Sequence, residues 1–141
     1  MDVTHAGGCL CGAVRYRARS IFDAGYCHCS ICQRIHGAPV LAWAAVPVQD
    51  FEVLCGTPRQ YASSPTGRRF FCQDCGTQLW FAYAEGARFV SVAITTLDRP
   101  EEVEPRVHIW APDRLPWFNT RDDLPRFPNG RLPHPDKRNP S

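Results

Sequence analysis

Eight cysteines stand out in this chain of 141 residues, and they fall into four groups: Cys9-Leu-Cys11, Cys27-His-Cys29-Ser-Ile-Cys32, the isolated Cys55, and Cys72-Gln-Asp-Cys75. Sulfurs one or two residues apart can converge on one ion, and backbone N–H groups of the turn can donate to them and stabilise their charge. Gly12 and Gly76 follow Cys11 and Cys75 directly, where such turns ask for positive φ. Cys72 and Cys75 supply two ligands, and a structural zinc takes four. Cys9 and Cys11, from their own glycine-flanked turn, are read as the complement. Closing that site ties residue 9 to residue 75, a long loop that metal binding can hold because it contributes directly to folding. Packed structural cysteines are the plain alternative.

Cys27, Cys29 and Cys32 offer three thiolates within six residues. Three protein ligands leave a coordination position open, which is what separates a catalytic or ligand-binding zinc from a structural one. A thiol entering that position loses its proton and becomes a nucleophile at neutral pH. Water, a substrate thiol, Cys55, His28, His36 and His108 are all candidates for the fourth position. Cys55 is expected to pack as a hydrophobe and His28 to face solvent. Arg34 and His36 lie just beyond the cluster and are expected to offset its negative charge.

These residues need strands and turns to carry them. Residues 13–19 alternate apolar and basic side chains, the period of a half-buried strand. Val40 to Val48 is an apolar run read as a buried strand, Trp43 within its core, with Phe51 to Leu54 following after a turn. Arg68 to Cys72, Thr77 to Tyr83, Arg88 to Thr95 and Arg106 to Trp110 are further strand candidates, bounded by Pro65-Thr66-Gly67, Gly76 and Glu85-Gly86. The one local helix runs through Ile31 to Ile35, capped by Ser30 and ended by Gly37. Nine of the thirteen prolines lie at or after position 100, so that region should be loops and short edge pieces over the core. The chain is thus read as one mainly β domain over 1–131, with little helix, and a polar, proline-rich tail over 132–141.

Bulk properties narrow the class. No run of 18 apolar residues marks a membrane span, and the N-terminus lacks the basic start and apolar stretch of a leader. A cytoplasmic, reducing location follows, in which eight cysteines favour metal over disulfides. The formal charge of +2 falls slightly below zero once seven cysteines bind two dications as thiolates. The basic residues, all Arg except Lys137, are scattered. Nucleic acid is therefore disfavoured as a partner.

The motifs resemble those of the glutathione-dependent formaldehyde-activating enzyme family, which includes centromere protein V-like proteins. The resemblance rests on Gly7-Gly-Cys-Leu-Cys-Gly-Ala-Val-Arg-Tyr16, Cys27-His-Cys-Ser-Ile-Cys-Gln-Arg34, Gly37-Ala-Pro39 and Gly67-Arg-Arg-Phe-Phe-Cys-Gln-Asp-Cys-Gly-Thr-Gln78. It continues through Thr96-Leu-Asp98, His108-Ile-Trp110, Pro116-Trp117 and Asp123-Leu-Pro125, covering roughly residues 7 to 128. It implies a zinc-stabilised β-tent fold and two zinc ions per chain. One would be structural, at Cys9, Cys11, Cys72 and Cys75; the other open to glutathione, at Cys27, Cys29 and Cys32. The implied activity is that of a carbon–sulfur lyase acting on a glutathione, or other small thiol, adduct of formaldehyde or a related aldehyde. Trp43, Phe81, Trp110 and Trp117 are candidates to line its pocket. The competing reading is a non-catalytic zinc module that binds a thiol, a metabolite or a protein.

Overall fold

Two β-sheets make up the body of the computed structural model, which describes residues 3–130. Ten strands follow in chain order: β1 (Thr4–Gly8), β2 (Arg15–Arg19), β3 (Asp23–Cys27), β4 (Leu41–Pro47), β5 (Phe51–Cys55), β6 (Arg59–Ala62), β7 (Gly67–Phe71), β8 (Gln78–Tyr83), β9 (Phe89–Ala93) and β10 (His108–Ile109). One α-helix, α1 (Ser30–His36), occurs among the described residues. The smaller sheet has the order β1-β2-β5 and the larger β10-β3-β4-β9-β8-β7-β6. All pairings are antiparallel except β10 with β3. The protein is mainly β, as its sequence predicts. No helix among the described residues is long and apolar enough to cross a membrane.

Local sequence explains the central strands. In β2, Tyr16 and Ala18 turn inward while Arg17 and Arg19 face out, and Arg17 pairs across the sheet with Glu52 of β5. In β4, four consecutive residues, Trp43 to Val46, are buried. This strand lies inside the larger sheet between β3 and β9, with both faces covered, so its apolar residues do not alternate. Tyr16, Val46, Leu79, Trp80 and Val92 form the heart of one core cluster. The buried hydroxyl of Tyr16 is satisfied by Thr96 Oγ1 at 2.7 Å. Each fully buried Val or Leu there contributes about 2 kcal/mol. A second cluster joins Trp43, Phe89 and Val107 to Cys27 and Cys32. Gly25 permits that junction, since a Cβ there would stand 2.7 Å from the Val107 carbonyl oxygen.

Strands β1, β3 and β6 do not announce themselves in the sequence. Thr-His-Ala-Gly-Gly and Asp-Ala-Gly-Tyr-Cys have little intrinsic strand preference and extend because they pair with β2 and with β4. Strand β6 is exposed along its whole length. The helix is where expected, with Gly37 in the left-handed region at φ 59°. Its N-cap, however, is Cys29 rather than Ser30. The expected strand at 106–110 shortens to β10, because Trp110 turns into the left-handed region at φ 53°. Apart from β10, residues 100–130 form short 3-10 turns and loops. The expected tail at 132–141 lies outside the described residues.

Candidate functional site

Two thiol groups lie at different places in this frame. Cys9 follows β1, and Cys11 sits in the turn to β2; Cys72 follows β7, and Cys75 sits in the turn to β8. Their four sulfurs all lie within 4.8 Å of one another. Strand β1 belongs to the smaller sheet and β7–β8 to the larger, so the group joins the two sheets. Each turn is closed by its own backbone: Gly12 N–H donates to the Cys9 carbonyl at 3.2 Å and Gly76 N–H to the Cys72 carbonyl at 2.8 Å. Both glycines have the positive φ that their positions predict, 84° and 80°. Leu10 N–H donates to Thr77 Oγ1 across the two turns at 3.1 Å. Val14 N–H donates to Cys9 Sγ at 3.2 Å. A hydrogen bond with the Thr77 hydroxyl brings the Cys75 thiol down to about 5. The Cys9–Cys11 and Cys11–Cys72 sulfurs are 3.6 and 3.8 Å apart. Sulfurs about 2.3 Å from a tetrahedral ion stand roughly 3.8 Å from one another. The donor set and these two spacings fit such an ion.

The second group is built on one strand end and one helix turn. Cys27 is the last residue of β3, Cys29 caps α1, and Cys32 lies in its first turn. The three sulfurs also lie within 4.8 Å of one another. Cys32 N–H donates to Cys29 Sγ at 3.3 Å. Hydrogen bonds from the Cys27 and Cys32 thiols push Cys29 down to about 2. Donating to Cys29 holds Cys27 well above the ordinary thiol range. A cation entering the group would displace protons from its thiols. Among the described residues, no fourth His, Cys or carboxylate joins it.

Beside these sulfurs opens a cavity of about 100 Å³. Trp43, Phe81 and Trp110 line it, as candidates from the sequence; Trp117 does not, and its side chain stands exposed. The cation at the site is Arg69 of β7, which is buried and places Nη1 3.5 Å from Cys32 Sγ. Its Nε donates to Ser63 Oγ at 3.2 Å, and its guanidinium carbon lies 4.8 Å above the Phe81 ring. Arg34 lies exposed on α1 and is absent from the cavity wall. Arg69 is 37 positions from Cys32, and only the sheet brings it there. The available signal was the pattern of β7, where Gly67 and Arg69 are buried on alternate positions.

The histidines and Cys55 also differ from expectation. His28 is fully buried rather than solvent-facing. Its Nε2 is 2.8 Å from His108 Nδ1, and His108 Nε2 is 3.0 Å from both Asp122 carboxylate oxygens. His108 stacks between Tyr26 and His28, with centroids 5.1 and 5.0 Å away. Burial brings His28 down to about 4, and burial likewise lowers half-buried His36 to about 4. Cys55 is exposed rather than packed, because β5 is the outer strand of the smaller sheet. It belongs to neither thiol group.

Comparison with known proteins adds four findings. The family model described as glutathione-dependent formaldehyde-activating enzyme matches residues 4–113. An uncharacterized lyase of Schizosaccharomyces pombe is 34% identical over 88 residues, covering 58% of this chain and 60% of that protein. A putative glutathione-dependent formaldehyde-activating enzyme of Halomonas elongata is 30% identical over 125 residues, covering 79% of this chain and 77% of that protein. In fold, a crystal structure of a Rhodobacter sphaeroides protein superposes with a TM-score of 0.52 at 23% identity, covering 86% of this chain and 98% of that one.

Proposed function

The chain belongs to the glutathione-dependent formaldehyde-activating enzyme family, and from that membership we propose that it is a zinc-dependent carbon–sulfur lyase acting on an adduct between a small thiol such as glutathione and an aldehyde. Cys9, Cys11, Cys72 and Cys75 would hold a structural zinc, and Cys27, Cys29 and Cys32 a second one. A zinc ion on the second group would supply a Lewis acid that keeps an incoming sulfur deprotonated at neutral pH.

The observation that carries this reading is the three-sulfur group itself. It has no fourth protein ligand among the described residues, and it opens onto a cavity with a buried cation at its edge. Arg69 offsets the negative charge of three thiolates and holds Cys32 in place. The aromatic walls exclude water from the reacting sulfur, which strengthens every electrostatic contact there. Arg34, at the exposed face of α1, is left to meet the charged ends of a thiol outside the cavity.

Native mass spectrometry with and without glutathione tests this. Two zinc ions per chain, and a glutathione adduct that disappears in Cys29→Ser, are the expected result. One firmly held zinc and no adduct would remove the open thiol site and leave a structural zinc protein.

A further inference from the structure

The walls of the cavity speak to the aldehyde half of the substrate. Leu41, Trp43, Phe81, Tyr83, Phe89 and Trp110 are among the residues that line it. Its only charged side chain apart from the cysteines, among the described residues, is Arg69. That guanidinium is already engaged by Cys32, Ser63 and the Phe81 ring. Glutathione carries two carboxylates and an ammonium at neutral pH. Burying such groups without partners is costly, and among the described residues the cavity holds no carboxylate and no spare cation. The peptide arms of the thiol therefore stay at the mouth, and the chamber beside Cys27, Cys29 and Cys32 is left for what hangs from the other side of the sulfur.

Formaldehyde would place a single hydroxymethyl carbon there. A dry cavity of about 150 Å³ accommodates benzene; this one is smaller, at about 100 Å³, but open on one side, so it takes a compact apolar group whole or a ring in part. A hydroxymethyl group would leave most of the aromatic wall uncovered. Resting on the lyase reading above, we propose that the carbonyl partner is an aldehyde bearing an apolar substituent of up to one aromatic ring, rather than formaldehyde. In the cleavage direction the C–S bond breaks with its electron pair going to sulfur. The hydroxyl oxygen loses its proton as the C=O bond forms. The products are the thiolate, the apolar aldehyde and a proton, and no oxidant or reductant is needed.

Two measurements on the full-length, zinc-loaded protein decide this. Thioethers that cannot react, S-methylglutathione and S-benzylglutathione, are titrated against tryptophan fluorescence, since Trp43 and Trp110 line the chamber. The benzyl compound should bind about tenfold more tightly or better. Rates of adduct formation with glutathione are then compared for benzaldehyde and formaldehyde, each over the uncatalysed rate, and the enhancement should be greater for benzaldehyde. Ser91→Leu, which fills the chamber from β9, should abolish the benzyl preference; the wild-type series decides even if that variant does not fold. Equal affinities together with greater enhancement for formaldehyde would overturn the apolar-aldehyde proposal alone. Enhancement with neither aldehyde would overturn the lyase reading and this proposal with it.

Discussion

The two thiol groups share one chemistry and differ in everything around them. Cys9, Cys11, Cys72 and Cys75 sit in two hairpin turns of different sheets, with Cys11 exposed and the turns closed by glycines in the left-handed region. Cys27, Cys29 and Cys32 sit at a strand end and a helix start, against a buried arginine and an aromatic cavity. Four sulfurs between two sheets describe a staple. Three sulfurs beside a cavity describe a place where something else arrives. The roles proposed above therefore rest on surroundings as well as on the number of sulfurs.

The sharpest way to break this comparison is to remove one sulfur from each group. Cys72→Ser takes a buried thiol from the junction of the two sheets, and should cost more than about 4 kcal/mol, a large share of a domain's typical stability. A strong chelator should do the same to the wild type. Cys29→Ser should leave the sheets folded, with a melting temperature lowered by only a few degrees, while glutathione binding disappears. Circular dichroism melts of the two variants side by side check the contrast. If Cys29→Ser unfolds and Cys72→Ser does not, the roles are reversed.

Arg69 and Arg34 give a second contrast. Arg69→Ala removes a buried cation that touches Cys32 Sγ, Ser63 Oγ and Phe81 at once. It should cost about 2 kcal/mol of stability and weaken metal and thiol affinity at the three-sulfur group by about 10–100-fold. Arg34→Ala, on the exposed helix face, should change stability by less than about 0.5 kcal/mol and affect glutathione affinity only modestly. Zinc competition titrations and denaturant melts separate the two. An Arg34 effect on zinc affinity as large as that of Arg69 would mean that charge at the site is balanced over a longer range than the contacts suggest.

Much of this arrangement was legible in the sequence because it is local. The Cys-x-Cys and Cys-x-x-Cys spacings with their glycines, the alternation of β2, the apolar run of β4 and the stop at Gly37 each depend on residues a few positions apart. What stayed hidden is what the sheets assemble. Arg69 reaches Cys32 through the placing of β7 in the larger sheet, and β1, β3 and β6 exist only because partners pair with them. His28 reads as a surface residue between two cysteines, yet β10 and the chain near Asp122 close over it. The sulfur groups were readable from spacing, whereas their surroundings were not.

The smallest expected effect concerns that closure, which touches only the three-sulfur side of the comparison. Asp122 accepts from His108 Nε2, so His108 Nδ1 is free to accept from His28 Nε2, and His28 Nδ1 is left as a bare, buried acceptor without a partner among the described residues. Asp122→Asn breaks the polarity of the chain at its exposed end and lets the His28 ring loosen between Cys27 and Cys29. Hydrogen bonds centred on Thr120, with His108 adding to them, hold the Asp122 carboxyl down at about 2. A carboxyl depressed in the folded state stabilises it above the ordinary value near 3.8, and that stability is lost as pH falls from there toward 2. The wild type should therefore exceed Asp122→Asn in melting temperature by a constant few degrees at neutral pH, with the gap closing between about pH 4 and pH 2. On the zinc site proposed above, the corresponding gap at Cys72, measured against Cys72→Ser, should close at a higher pH than that carboxyl titration, because protons compete with the metal for thiolate ligands. A gap for Asp122→Asn that stayed flat down to pH 2 would mean that the carboxylate does not orient the two histidines, and that β10 alone holds His28 in place.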